Sequence, residues 1–368
     1  MKKDPVLLIA AGGTGGHMFP AQALAWEFEK EGWKVILITD PRGEKFSSTF
    51  PTSITKFVQT SATLKLNDPI GIPKAMIILL GSIIKTFCIF IKLKPRAVIG
   101  FGGYPSFASL LVARVLNIKT VVHEQNAVLG RVNRFFSKRV NAVACSFWPT
   151  DAPANTKIYF TGNPIRHDIM ATHKIMFDLP LTGFLNLVVI GGSQGASFFS
   201  KVVPEAIEFL PLKLKTRLRI IQQARKEDCK KLEKSYEKIG VETTVKDFFQ
   251  DIGTIFSKAH LIIARAGAST ISEVLFFGKP LILIPIPNSF GDHQKINAQR
   301  VAQLGAAIQL DQENSTGKQL ARKINSILGN QSLAKKLANR ASKNSNPRAI
   351  IKLKDIVLKI AEGNLVGK

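Results

Sequence analysis

The chain has 368 residues, 45% hydrophobic and 21% charged, a balance that excludes disordered, collagen-like and disulfide-dense classes and leaves room for two domains with separate cores. Its 51 Lys and Arg against 26 Asp and Glu give a net charge of +25, which directs attention to anionic partners: nucleic acid, an anionic membrane surface or an acidic substrate. The basic stretch from Lys318 onward has only Asp355 and Glu362 as acids and no interleaved aromatic residues, which argues against nucleic acid.

Residues 6–10, VLLIA, predict a first strand; the apolar stretch is too short for a signal peptide. It runs into GGTGGH, residues 12–17, a glycine-rich turn opening a helix through Leu24 and Phe28, and VILIT follows as the next strand. Ala75–Lys94 is the longest apolar run, but Gly81 and Lys85 interrupt it and Pro73 and Pro95 bracket it. It is expected to be a helix packed on a sheet, or one resting on anionic lipid through basic ends at Lys74, Lys92, Lys94 and Arg96, rather than a bilayer span.

AVIG, TVVHE, AVACS and KIYFTG complete a first doubly wound α/β unit, because buried parallel strands are apolar without clean alternation. LVVIGGSQGA, residues 187–196, opens a second unit, continued by RIIQQ, TTVKDFF, LIIARAGAST, PLILIPIP and AAIQL. Each half thus begins with strand, glycine-rich turn and helix, a structural repeat. The expected domains are residues 1–163 and 164–346, linked near Asn163–Asp178, with a last helix in residues 347–368 packing back on the first domain. Cys88, Cys145 and Cys229 lie far apart and read as buried reduced thiols of a cytoplasmic protein.

The glycine-rich turns carry the chemistry, since backbone amides at a helix N-terminus suit an oxygen-rich anion. The dinucleotide fingerprint fails at Met18, although Asp40 follows VILIT where a ribose-binding acid would stand, and no GK[ST] follows to make a Walker loop. His17 starts the first helix and is a candidate general base, with a structural hydrogen-bonding role as the alternative. GGSQGA offers Ser193 and its amides to a pyrophosphate, and RAGASTISE places Glu273 where a carboxylate can hold two ribose hydroxyls.

HEQN, residues 123–126, lacks the second histidine of a zinc HExxH motif, because Ala127 stands there. It reads, with DHQKIN at 292–297, as a polar cluster for a polyhydroxylated substrate. No D-x-D pair occurs, so no metal and no cofactor are expected, and amides, helix dipoles and Arg or Lys are left to stabilise a diphosphate leaving group.

Together GGTGGHMFP, FGGYPS, HEQN followed by NRF, TGNPIR, GGSQGA, RAGAST with its glutamate, and DHQxxNA resemble the MurG family, the bacterial N-acetylglucosaminyltransferases of peptidoglycan synthesis. The resemblance runs from about residue 6 to 310 and implies the GT-B fold, two Rossmann-like doubly wound parallel-sheet domains facing across a cleft. It implies UDP-N-acetylglucosamine in the second domain: uracil against the backbone around Phe248 and Phe249, ribose on Glu273, diphosphate on Ser193, the Gly192–Ala196 turn and Arg166, and sugar near Asn126, Ala268, His293 and Gln294.

It further implies lipid I in the first domain, with the pyrophosphate at Thr14, Gly15, Gly16 and the Gly102–Ser106 turn that contains Gly103, Tyr104 and Ser106. His17 would be the base for inverting transfer to the 4-hydroxyl of N-acetylmuramic acid, giving lipid II, with Glu124 orienting a hydroxyl. Phe107 and Ala108 after GGYPS, and Ala266 in the donor segment, depart from the family pattern. The expected location is peripheral, on the cytoplasmic face of the bacterial inner membrane, through the Ala75–Lys94 helix with Phe135, Phe136, Lys138 and Arg139, and cell-wall synthesis or division proteins are further candidate partners. The alternatives are a GT-B transferase for another lipid or glycolipid acceptor, and a non-enzymatic basic protein that binds membrane or nucleic acid.

Overall fold

The computed structural model describes residues 4–60, 71–192 and 197–364. The chain forms two compact units, residues 1–166 with 347–368, and residues 167–346.

The first unit is built on a seven-stranded sheet in the order β3-β2-β1-β4-β5-β6-β7. Its strands are β1 (Val6–Ala10), β2 (Lys34–Thr39), β3 (Thr55–Val58), β4 (Ala97–Gly100), β5 (Lys119–Glu124), β6 (Ala142–Cys145) and β7 (Ile158–Phe160), all paired in parallel. Leu7, Ile9, Val98, Ile99, Val121 and Val143 are fully buried, as strands covered on both faces must be. β3 was not legible: TKFV is an edge strand with exposed residues and no apolar run to mark it.

Strand order reverses at β1, whose neighbours are β2 and β4, so the loops leaving the C-terminal ends of β1 and β4 diverge over opposite faces. The glycine-rich turn opening α1 (Gly15–Lys30) and the Gly102–Gly103 turn before α4 (Tyr104–Val115) both stand at this point. Between them in sequence lie α2 (Pro41–Glu44) and α3 (Gly71–Leu93), and α5 (Arg131–Phe136) follows β5.

The second unit repeats the plan with six parallel strands in the order β10-β9-β8-β11-β12-β13. These are β8 (Leu185–Ile190), β9 (Leu218–Gln223), β10 (Glu242–Lys246), β11 (Leu261–Ala264), β12 (Leu281–Leu283) and β13 (Ile308–Gln309). Its reversal lies at β8 and β11, where GGSQGA and RAGAST begin. The chain then returns to the first unit: the helix Ala349–Ala361 buries Ile350, Leu353, Ile356, Val357 and Ile360 in the core that holds Leu24 and Phe28 of α1.

One of the two readings of α3, and the expectation for the cysteines, are corrected. α3 is not a core helix: it meets α4 through one face carrying Phe90, while Ile77, Leu80, Ile84 and Ile91 are exposed. It is long and apolar enough to cross a membrane, with only 11% of its most apolar window buried. Of the cysteines only Cys145 is buried, its thiol pushed up to about 12 by that burial, whereas Cys88 lies exposed on α3 and Cys229 is half-buried.

Candidate active site

In the first unit the turn after β1 is a place of close backbone approach. A Cβ on Gly12 would come within 2.8 Å of Pro105 Cγ, and the Gly12 carbonyl lies 3.1 Å from where a Cβ on Gly103 would be. Gly102 and Gly103 have φ of +100° and +77°, which glycine alone adopts without strain. The turns after β1 and β4 are thereby locked together at the strand-order reversal, with Thr14, Gly15 and Gly16 opening the first turn of α1 and Tyr104 opening α4.

His17 is oriented by this packing. Its Nδ1 lies 2.8 Å from the Gly12 carbonyl, which only accepts, so Nδ1 carries the proton and Nε2 of the neutral ring carries the lone pair. Nε2 sits beside Gly102, where a Cβ would approach it to 3.0 Å. The backbone thereby fixes the tautomer and leaves the Nε2 acceptor at the rim of the second glycine turn.

Two residues expected at the substrate are buried. Ser106 is fully buried: its hydroxyl accepts from Gly102 N–H at 3.1 Å and lies 2.8 Å from the carbonyls of both Ala10 and Gly102, so it shapes the turn from beneath. Glu124 is 2% exposed. Its Oε1 accepts from the backbone and side-chain nitrogens of Asn126 at 3.0 and 3.1 Å, and its Oε2 from Gly130 N and Asn133 Nδ2 at 2.9 and 2.8 Å. Donors thus surround both oxygens, and Oε1 holds the backbone and side chain of Asn126.

Behind this loop His123 is fully buried, and burial lowers its pKa to about 4; the Gly162 carbonyl opposes the shift and the nearby His17 adds to it. The Gln125 amide joins His123 Nδ1 and the Phe101 carbonyl, each at 3.1 Å, tying HEQN to the residue before Gly102. Arg166, expected on a diphosphate, lies over the ring of Phe19 on α1 at 4.3 Å. Phe107 packs on Phe135 and Phe136, so this departure from the family pattern extends an aromatic cluster. Phe136 itself is buried and leaves the surface to Phe135, over which Arg139 stacks.

In the second unit Ser193 and the rest of the GGSQGA turn beyond Gly192 lie outside the described residues; Gly192 has φ +83°. The helix Ala268–Phe277 starts directly after Gly267 and buries Glu273. Asn297 Nδ2 holds the carbonyl of Ala266 at 3.1 Å, and the Ala266 side chain is itself fully buried. Gln294 Oε1 accepts from Ile286 N at 3.1 Å, which fixes the start of the helix His293–Gln303 to the segment after β12. Phe249 is buried and Phe248 exposed.

Arg265, unremarked in the sequence, is buried between Phe198 and Phe199 and the carbonyls of Ile284 and Pro285, its pKa lowered to about 10 by that burial. Asp40, Arg42 and Asn133 are likewise unassigned from sequence, whereas Gln125 and Asn297 enter only as members of HEQN and DHQKIN. For Asp40 a signal existed: Asp-Pro-x-Gly after a strand is a helix N-cap pattern, and its side chain does accept from Gly43 N.

Residues 7–145 and 186–353, which carry the two Rossmann-like units, match the N-terminal and C-terminal domains of glycosyltransferase family 28, and this match makes the chain a glycosyltransferase. The chain is 40% identical over 361 residues to the UDP-N-acetylglucosamine--N-acetylmuramyl-(pentapeptide) pyrophosphoryl-undecaprenol N-acetylglucosamine transferase of Caulobacter vibrioides, covering 96% of this chain and 98% of that one. It is 40% identical over 366 residues to the protein of the same name from Rhizobium meliloti, covering 99% and 97%. The crystal structure of Acinetobacter baumannii MurG superposes with a TM-score of 0.77 at 28% identity over 97% of this chain and 99% of that one. A kitacinnamycin glycosyltransferase, at 15% identity and a TM-score of 0.73 over 98% and 100%, shares the fold. The chain belongs to the MurG family.

Proposed function

We infer that this protein transfers N-acetylglucosamine from UDP-N-acetylglucosamine to lipid I, giving lipid II and UDP. Family membership over nearly the whole chain supports the donor and the acceptor. The observation that carries the chemistry is the tautomer of His17, whose Nδ1–H is held by the Gly12 carbonyl so that Nε2 accepts.

In the reaction Nε2 takes the proton of the N-acetylmuramic acid 4-hydroxyl as its oxygen forms the new bond to the anomeric carbon. The bond from that carbon to the UDP oxygen breaks on the opposite face, so configuration inverts, and the proton on His17 passes to solvent. The acceptor diphosphate is assigned to the amides of Thr14, Gly15 and Gly16 with the Gly103–Tyr104 turn. Within the second unit the donor is assigned to Ser193, the backbone at Phe249, Ala268, Glu273, His293 and Gln294. Glu124 enters through Asn126, which it holds by two hydrogen bonds.

Charge and surface support a peripheral location on the cytoplasmic face of the inner membrane. A net charge of +25 and an exposed apolar stripe on α3 flanked by Lys74, Lys85 and Lys92 suit the anionic cytoplasmic leaflet where a lipid-linked acceptor resides. Phe135, Lys138 and Arg139 extend the same reading.

The test is transfer of radiolabelled N-acetylglucosamine to a lipid I analogue with EDTA present, alongside His17→Ala. Product from the wild type and a rate lower by about a hundredfold or more in the variant, with donor-induced thermal stabilisation retained, is the expected result. Near-normal turnover by a folded His17→Ala protein removes the base assignment, and absence of wild-type transfer removes the acceptor.

A further inference from the structure

The loop after β2 is pressed against the glycine turn after β1. A Cβ on Gly43 would fall 2.3 Å from Thr39 Oγ1 and 3.0 Å from the Gly12 Cα, and one on Gly12 would fall 2.7 Å from Asp40 Oδ1, so two backbones touch where side chains have no room. Asp40 fills the seam. Its Oδ1 accepts from Gly13 N and Gly43 N, each at 2.8 Å, and its Oδ2 accepts from Arg42 Nε and Nη2, each at 3.2 Å. The carboxylate is buried, yet the Arg42 side chain is 61% exposed, and Nη2 lies 3.8 Å from where a Cβ on Gly13 would be.

A buried carboxylate beneath the turn opposes any anion brought to the amides at Thr14–Gly16. The Arg42 cation cancels that charge. Holding Asp40 uses Nε–H and one Nη2 hydrogen, and the planar fork keeps the Nη1 hydrogens and the second Nη2 hydrogen for another acceptor.

We propose that Arg42 is a phosphate-binding residue for the acceptor: set by Asp40 at the rim of the glycine turn, its guanidinium hydrogen-bonds the diphosphate of the lipid-linked substrate. This rests on the reading of that turn as the acceptor diphosphate site. Lysine supplies the charge without the fork, and its single nitrogen would have to sit between Asp40 and a phosphate oxygen to reach both, so it recovers only part of the function.

The test uses the full chain with Arg42→Ala and Arg42→Lys. The acceptor KM is measured at saturating UDP-N-acetylglucosamine, the donor KM at saturating lipid I analogue, and sedimentation with vesicles containing anionic phospholipid is measured separately. The expected result is an acceptor KM raised about tenfold or more by Arg42→Ala, less by Arg42→Lys, with donor KM and vesicle binding within about twofold of wild type.

An unchanged acceptor KM overturns the proposal. So does a rise confined to the donor KM, which makes the ligand the nucleotide diphosphate, or a loss matched by weaker vesicle binding, which makes it a lipid headgroup. Where Arg42→Ala lowers Tm by exposing the uncompensated carboxylate, Arg42→Gln, which retains a donor to Asp40 without the charge, takes its place in the same comparison. A wild type that transfers nothing to lipid I overturns the acceptor reading and this proposal together; an active wild type with Arg42 variants of normal acceptor KM overturns this proposal alone.

Discussion

HEQN shows how a residue's type and its task can diverge. As letters, His123, Glu124, Gln125 and Asn126 are four polar groups at a strand end, all equally eligible to meet a sugar. In the fold His123 and Gln125 are turned inward, and Glu124 is held by amides of its own loop. The inward His123 has a measurable signature. In the unfolded chain its pKa is the ordinary 6.5, and in the folded protein burial lowers it to about 4. Above pH 6.5 the ring is neutral in both states; as pH falls from 6.5 toward 4 only the unfolded chain takes up the proton, so stability drops, by about 3 kcal/mol in all. Urea unfolding of the first unit between pH 7 and 4 should show this acid slope, and His123→Gln should flatten it. An identical slope in the variant assigns acid sensitivity elsewhere, for instance to His260 of the second unit, whose pKa is also lowered to about 4.

At the scale of elements, strands and glycine turns were legible because each carries its own signal: a Val, Ile and Leu run short enough for a strand, then glycine, then a helix. What joins elements was not. Asp40 to Gly13 spans 27 positions and Asn297 to Ala266 spans 31, and no local pattern records such pairings. α3 was ambiguous for a related reason, since an apolar helix reads alike whether its outer face meets protein or lipid; only packing on α4 shows that Ile77, Leu80, Ile84 and Ile91 remain outside. These spacings of three, four and seven keep the four side chains on one stripe. Ile77→Glu combined with Ile84→Glu should therefore weaken binding to anionic vesicles, by about tenfold or more if both side chains enter the interface. Because both are exposed, Tm should change little. Vesicle binding equal to wild type removes α3 from the membrane contact and leaves Phe135, Lys138 and Arg139.

At the scale of the molecule the chain begins and ends in the same unit. The helix Ala349–Ala361 comes after the whole second unit, yet it packs against α1 and the sheet at β4, β5 and β6. Its Ile350, Leu353, Ile356, Val357 and Ile360 are each at most 7% exposed, and Arg96 Nε donates to the Ala361 carbonyl at 3.2 Å. Burying five such side chains contributes roughly 7–15 kcal/mol as an upper estimate. A whole domain is stable by only about 5–15 kcal/mol, so the first unit should not hold its fold without this helix. A chain ended after Asn346 is expected to lose amide protection in β1, β4 and β5 while β8 and β11 keep theirs, which hydrogen exchange resolves strand by strand. Protection retained in β1 and β4 would make the helix a peripheral cover. Loss in both units together would mean that the second depends on the first for its stability, and that the two sheets, despite separate cores, unfold as one.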